Sequence, residues 1–218
     1  MDTLDAVNLL FIGVLAGFWW WQARAAGHAD EARRGRLRTL AGLSTANVPP
    51  QNTTAAERLE DTLLRLRREG GYDADFLPWA KRTYEQVVAA LADGALDKIV
   101  PLCSEAVAAD FAAHLADRRR LGATQSLLFI GIDAADFVDA GIEETLAWID
   151  VRFVSELVSV THDRAGAVID GHPSRIVRCV DVWTFAREGG QRRPAWQLVT
   201  TRQASDVAKG AQDAEPQT

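Results

Sequence analysis

The chain has 218 residues, of which 48% are hydrophobic and 25% are charged, and its formal net charge is −6. This composition supports one domain with a buried core plus flanking segments. The negative charge argues against a general nucleic-acid binder, which needs a basic face to displace counterions. Cys103 and Cys179 are 76 positions apart, which matches neither a zinc site nor a CxxC motif. We expect two buried thiols, although the sequence leaves a disulfide open.

An apolar run over residues 6–21 ends in three tryptophans and is followed by Arg24. Its helical length is about 24 Å, and adding Leu4 and Gln22 brings it close to the ~30 Å hydrocarbon core of a bilayer. Tryptophans suit the membrane interface, and arginines mark the cytoplasmic side. We therefore predict a single transmembrane anchor over residues 1–23, with the remainder in the cytoplasm and four residues at the interface: Trp19, Trp20, Trp21 and Arg24.

Two other interpretations of this segment stay open. A cleavable signal peptide would use Ala23-Arg24-Ala25 as its cleavage site, but the run lacks a positively charged leading region. A buried helix of a soluble protein would have to hide three consecutive tryptophans, which point to three sides of the helix.

The segment 24–71 is predicted to be a linker that contains one short amphipathic helix. Residues 24–38 hold five arginines against two acidic residues, and residues 42–56 are small, polar and include Pro49-Pro50. From 55 to 69, leucines 59, 63 and 66 form one stripe, and arginines 65, 67 and 68 load the last turn. Such a helix either lies on anionic lipid or packs on its own domain.

Residues 72–203 are predicted to form one domain that begins with helices. An apolar stripe recurs from Phe76 to Leu91 until Asp93-Gly94 interrupts it, and a short helix follows. Ser104 is a candidate N-cap for a third helix that ends at Gly122. The last segment, 204–218, is small and polar, and we predict that it is disordered.

After Thr124 apolar and polar residues alternate, which is typical of strands. Four strand-like runs cover about 125–139, 144–161, 175–187 and 195–203, and three stretches are expected as turns: Ala140-Gly141, Asp163 to Ser174, and Glu188 to Pro194. Sequential strands joined by short turns are antiparallel neighbours. The predicted fold class is α+β, with helices on one face of a curved four-stranded antiparallel sheet.

Four stretches of this domain together resemble one family. They are FLPWAKRTYEQVVAALADGALDKIVPLCSEAV, VRFVSELVSVTHDRAGAVIDG, VDVWTFAR and AWQLVTTRQ. They are similar to the Tim44-like domain, the C-terminal domain of the motor-anchoring subunit of the mitochondrial inner-membrane translocase, and to its TimA-type bacterial relatives. The resemblance covers roughly residues 75–203 and implies a nuclear-transport-factor-like cone fold.

The resemblance also implies a function. It indicates a non-catalytic adaptor, anchored in the bacterial inner membrane by one span, that docks a protein partner and possibly anionic lipid near a translocation machine. The alternative is a module that binds lipid or a small apolar ligand in the cone cavity. The long tether at 24–56 departs from the family pattern.

An enzyme is the third hypothesis, and Asp181 would carry it. Alternation places Asp181 on the same strand face as Trp183 and Phe185, where burial would raise its pKa and make it a candidate general base. The competing interpretation is an ion pair with Arg152 or Arg202. The sequence has no phosphate loop, metal-ligand cluster or nucleophile motif, so we predict no cofactor, no metal and no catalysis.

Large aromatic side chains are the remaining candidates for a binding surface. Trp148 is out of phase with Ile149, Val151 and Phe153, so we expect it on the outer face of the sheet, where it is either covered or available to a partner. The predicted ligand or partner-binding residues are Trp148, Phe153, Trp183, Phe185 and Trp196.

Overall fold

The computed structural model describes residues 54–68, 72, 74–143, 146–188 and 195–203. The predicted anchor with Trp19, Trp20, Trp21 and Arg24, most of the predicted linker and the predicted tail at 204–218 lie outside these residues. Within the described ranges, no helix is both long enough and apolar enough to span a bilayer.

The helices come first, as predicted. They are α1 (Ala55–Arg68), α2 (Phe76–Asp93), α3 (Leu96–Ile99), a 3-10 turn (Val100–Leu102) and α4 (Glu105–Leu121). Both long helices end at a glycine in the left-handed region, Gly94 (φ 72°) and Gly122 (φ 67°), where a residue without Cβ is favoured. The Ser104 hydroxyl accepts a 3.4 Å hydrogen bond from the Val107 N–H, which confirms the predicted cap of α4.

The strands follow in one antiparallel sheet: β1 (Thr124–Glu143), β2 (Leu146–His162), β3 (Val168–Gly171), β4 (Val177–Glu188) and β5 (Gln197–Gln203). The order across the sheet is β1-β2-β4-β5. The short strand β3 pairs with residues 160–162 of β2, beyond the stretch of β2 that pairs with β4. The predicted α+β class, with helices preceding an antiparallel sheet, is confirmed.

One predicted turn was wrong, and a second was incomplete because its turn residues flank a short strand. Ala140 and Gly141 lie inside β1 and pair with Ile149 and Trp148. Gly141 was predicted to be a turn residue, but it lies in a strand. The absence of a side chain at this position leaves room for the Trp148 indole on the paired strand. The stretch from Asp163 to Ser174 contains β3, so the sheet has five strands among the described residues instead of four.

The main core lies between the helices and one face of the sheet. The buried stripe of α2 (Phe76, Ala80, Tyr84 and Val87) packs against Phe153, Trp183 and Phe185 of the central strands. Leu66 of α1 belongs to the same core and is 1% exposed. The amphipathic helix thus packs on its own domain through its leucine stripe, while Arg65, Arg67 and Arg68 are exposed.

Candidate functional site

The first candidate site is a groove between α1 and β1, which we call the α1–β1 groove. It is open to solvent along one side and has a volume of about 520 Å³. Its apolar lining consists of Ala56, Leu59, Leu63, Leu64, Tyr72, Leu77, Ala135 and Phe137, and its polar lining of Glu60, Arg67 and Asp136. An apolar cleft of this volume with a few charged groups is suited to an acyl chain or another apolar ligand with a polar end.

The sequence signal for this groove was incomplete. The leucine stripe of α1 predicted one apolar wall, since residues 59, 63 and 66 recur at helical spacing. The other wall is the edge strand β1 around Ala135 and Phe137, where nothing local in the sequence indicates which helix lies opposite. Only the tertiary structure brings the two walls together.

The second candidate is a buried polar cluster formed by Tyr84, Asp181 and Ser155. The Tyr84 hydroxyl donates a 2.7 Å hydrogen bond to Asp181 Oδ2 and lies 2.9 Å from Ser155 Oγ. Tyr84 comes from α2, and the two other residues come from β4 and β2 at positions that face the core. Asp181 is 4% exposed, so its carboxyl is almost entirely shielded from solvent.

Burial sets the electrostatics of this cluster. It raises the pKa of the Asp181 carboxyl to about 6, while the hydrogen bond from Tyr84 acts in the opposite direction. It also raises the pKa of the Tyr84 phenol, which the carboxylate nearby raises further. Asp181 is buried on the same face of β4 as Trp183 and Phe185, and its pKa is raised, as the sequence predicted.

The predicted ion-pair partners of Asp181 were wrong. Arg152 lies 4.0 Å from Asp136, and Arg202 lies 3.7 Å from Asp150, on the opposite face of the sheet. The side chain that reaches Asp181 is Tyr84, 97 positions away in the sequence. No sequence pattern pointed to this pairing.

The five predicted binding residues do not form one surface. Phe153, Trp183 and Phe185 are buried in the main core. Trp196 is half-buried, packs 4.8 Å from the Phe76 ring centroid and lies under the Arg187 guanidinium. Trp148 lies on the opposite face of the sheet, as expected, with Leu146 and Ala186, and is 8% exposed. Ligand or partner binding by these residues stays a prediction.

The two cysteines are buried free thiols, and burial raises the pKa of each to about 12. Both are therefore uncharged and poor nucleophiles at neutral pH. In the described part of the chain, no three His, Cys, Asp or Glu side chains are grouped so that they could hold a metal ion.

Comparison with known protein families shows which family this chain belongs to. The Tim44-like domain family matches residues 67–203. The chain belongs to this family. The match begins at the last two residues of α1 and ends with β5, so it spans α2 to β5 and leaves most of α1 outside it.

Curated relatives are similar at low identity. The human mitochondrial import inner membrane translocase subunit TIM44 is 27% identical over 138 residues, which is 62% of this chain and 30% of that protein. The subunit of Rattus norvegicus is 25% identical over 73% of this chain and 34% of that protein. The matched stretch therefore spans about a third of the length of these relatives.

Among solved structures, the intermembrane space region of the chloroplast protein ARC6 matches at 14% identity and a TM-score of 0.37. The match covers 59% of this chain and 96% of that chain. A score this low carries no structural argument.

Proposed function

We propose that this protein is a membrane-anchored, non-catalytic adaptor that docks a protein partner at the bacterial inner membrane, as an accessory factor of protein translocation. In this proposal residues 1–23 are the single span and the Tim44-like domain, a cone fold, faces the cytoplasm. The observation that carries it is the family match over residues 67–203, with relatives named as subunits of an inner-membrane import translocase.

The described residues support a role in binding rather than in catalysis. Burial raises the pKa of the Asp181 carboxyl to about 6, but one of its oxygens accepts the Tyr84 hydrogen bond and the residue is 4% exposed. A general base must come within hydrogen-bond distance of a substrate proton. The surrounding aromatic rings of Tyr84, Phe153 and Trp183, with centroids 4.6–5.9 Å apart, occupy the space in which a substrate would sit.

The topology of the full chain tests this proposal. The chain with a C-terminal tag is expressed in bacteria, membranes are washed with carbonate, and protease is added to spheroplasts. We expect the tag to stay with the membrane and to be protected from protease. A shortened, soluble product in the periplasm would contradict both the anchor and the orientation.

A search for the partner tests the adaptor role separately. Photo-crosslinking residues are placed at exposed α1 positions such as Arg65 and Arg68 in membranes. We expect a discrete crosslinked protein that belongs to a membrane-protein assembly or translocation machine. Crosslinks to lipid alone would favour the second candidate function below.

The second candidate function is binding of lipid or another apolar ligand, and the α1–β1 groove favours it. Ala56 and Ala55 are both exposed on α1, but only Ala56 lines the groove. Ala56→Trp should therefore reduce the amount of lipid that copurifies with the full chain in native mass spectrometry, whereas Ala55→Trp should not. Equal lipid content in the wild type and in both variants would reject this function.

A further inference from the structure

The strand β1 has a free edge. It stands at one end of the sheet order β1-β2-β4-β5, and no second strand in the described part of the chain pairs with the edge that faces away from β2. The edge of β5, at the other end, is partly covered, because Ser104 N–H donates a 2.9 Å hydrogen bond to the Leu198 carbonyl and Cys103 forms a bridge with Leu198. A free edge presents backbone donors and acceptors that can pair with another strand.

The half of β1 from residue 131 onwards is protected against such pairing. Its register with β2 shifts twice, between Ile132 and Ala134 and between Phe137 and Asp139, and α1 lies beside it across the α1–β1 groove. It also carries four acidic side chains, Asp133, Asp136, Asp139 and Glu143. Bulges and charged side chains are features by which natural sheets prevent pairing at their edges.

The first half of β1 lacks this protection. Residues 124–129 pair with β2 without a register shift, and the stretch 124–130 (TQSLLFI) contains no charged residue, no proline and no glycine. Leu128 and Ile130 are 64% and 48% exposed. A regular, uncharged edge with large exposed apolar side chains favours association with another strand.

A second copy of this chain offers a self-complementary register. If two copies pair antiparallel about a two-fold axis at Leu127, this residue lies opposite its own counterpart, Gln125 lies opposite Phe129, and Ser126 lies opposite Leu128. All these positions belong to the run without a register shift. Each opposed pair points to one face of the sheet, so apolar side chains meet across the axis.

Charge favours the antiparallel pair over a parallel one. A parallel pair in register would place Asp133 beside Asp133 and Asp136 beside Asp136, with the strands ~4.8 Å apart. An antiparallel pair keeps these carboxylates apart and directs each Asp133 towards the end of α4 in the other copy, where Arg119 and Arg120 are exposed. Asp133 already pairs with Arg178 over 3.7 Å, so the arrangement avoids repulsion and needs no further attraction.

A foreign strand fits this edge less well than a second copy does. A basic strand would be attracted to the acidic half of β1, where the bulges and α1 obstruct pairing. An apolar strand would find no charged group in residues 124–130 to fix its register. A second copy brings the same uncharged run, and the two-fold axis fixes its register.

We propose that two copies of this chain associate edge to edge through residues 125–129 of β1, antiparallel and about a two-fold axis at Leu127, so that their sheets become continuous. Five residues from each copy form an interface smaller than the standard ~1,600 Å², so the association is reversible and depends on concentration. This inference rests on the edge of the sheet alone and is independent of the adaptor role and of the membrane topology.

Single introduced cysteines test the register in the full chain in mild detergent. Both native cysteines are buried and stay in place. Opposed Cα atoms of antiparallel strands are about 4.5–5.5 Å apart, which a disulfide can bridge, so Leu127→Cys should form a linked dimer under mild oxidation. The control is Val138→Cys on the same strand, at a position that is 39% exposed. It should give at least about tenfold less dimer, because the two copies of residue 138 would be more than ~50 Å apart.

A buried charge supplies the second arm. Leu128→Asp should raise the dissociation constant of the dimer by about tenfold or more, because the pairing would bring two carboxylates together across the axis. Ile176→Asp is the matched control at a 56% exposed position outside β1, and it should leave the constant unchanged. Sedimentation of the full chain over a concentration series measures both. If Leu128→Asp lowers the urea midpoint more than the control does, Ser126→Glu, at an exposed position of the same run, replaces it.

Three results would overturn the proposal. Absence of a dimer over the whole concentration series would show that the free edge does not associate. Equal crosslinking at residues 127 and 138 would indicate a parallel pair or unspecific aggregation. A dimer that neither Leu128→Asp nor Ser126→Glu weakens would be formed by another region, such as the predicted anchor.

Discussion

The Tyr84 hydroxyl donates a 2.7 Å hydrogen bond to Asp181 Oδ2, which joins α2 to β4 inside the core. Each partner is buried, with 1% and 4% exposure respectively. The pair places a titratable carboxyl among aromatic rings, where its charged form lacks the solvation that water would provide. The stability of the domain should therefore depend on pH through this one group.

We expect Asp181→Asn to remove a pH-dependent component of stability. The folded-state pKa of about 6 lies above the ordinary value of ~3.9, so the folded protein keeps a proton that the unfolded chain has lost. The contribution of Asp181 to the free energy of unfolding therefore falls by ~3 kcal/mol as pH rises from about 4 to about 6, and stays constant above that. Urea unfolding of the full chain in mild detergent, compared between wild type and variant at pH 4, 5, 6 and 7, measures the difference.

Tyr84→Phe changes the other partner of the same hydrogen bond. It deletes the hydrogen bond that lowers the pKa of Asp181, so the upper end of the pH window should move above about 6. The variant should also be less stable at pH 7 by about 1–3 kcal/mol, because a buried carboxylate loses its partner. Identical pH profiles for Tyr84→Phe and the wild type would show that the hydrogen bond does not set this pKa.

Gly141→Ala should destabilise the domain, because a Cβ at this position would overlap the Trp148 indole on the paired strand. We expect a loss of about 1–3 kcal/mol in the free energy of unfolding. The control is Gly131→Ala on the same strand, where a Cβ would meet no atom within 4 Å. Equal stability of the two variants in thermal unfolding would argue against the close packing of Trp148 on β1.

Arg118 of α4 is hydrogen-bonded to α2 and to β1, so its removal should lower the stability of the domain. It is 8% exposed, and it donates 2.9 Å hydrogen bonds to the Ala92 carbonyl at the end of α2 and to Gln125 Oε1 on β1. Arg118→Met should cost about 1–3 kcal/mol, because two acceptors lose their partner in a partly buried site. Arg120→Met, which removes an exposed guanidinium that pairs with the exposed Asp117, should change stability by less than about 0.5 kcal/mol. Urea midpoints that do not differ would contradict the bridging role.

Gly171→Ala tests the strand that was not predicted. Gly171 and Gly166 both have positive φ, 78° and 84°, so each substitution carries a similar backbone strain of about 1 kcal/mol. At Gly171 a Cβ would also overlap the backbone carbonyl of Ser159. Hydrogen exchange at the amide of His172, which donates to Ser159 O over 3.2 Å, should accelerate in Gly171→Ala and not in Gly166→Ala. Similar exchange in both would indicate that β3 does not need this close approach.

Much of the fold could be predicted from local patterns. The apolar stripe of α2, the serine cap and the glycine ends of the long helices are determined by residues within a few positions of one another. The four longer strands follow from alternation, which depends only on which face each residue takes. The family resemblance, carried by residues within the domain, is likewise confirmed.

The prediction failed at positions whose local structure or contacts depend on a residue far away in the sequence. Gly141 pairs with Trp148 inside the sheet, and the indole occupies the space that a side chain at position 141 would take. Asp181 is held by Tyr84 rather than by an arginine. The α1–β1 groove exists because α1 packs beside an edge strand some 70 residues away in the sequence.

The sequence by itself determined the helices, the long strands, the charge of each segment and the family, because periodicity, capping residues and net charge are local or additive properties. Only the tertiary structure decided which polar groups meet in the core, which side chains share a groove and which face of the sheet is buried. Those outcomes depend on contacts between residues far apart in the chain, whose free energies no local pattern records.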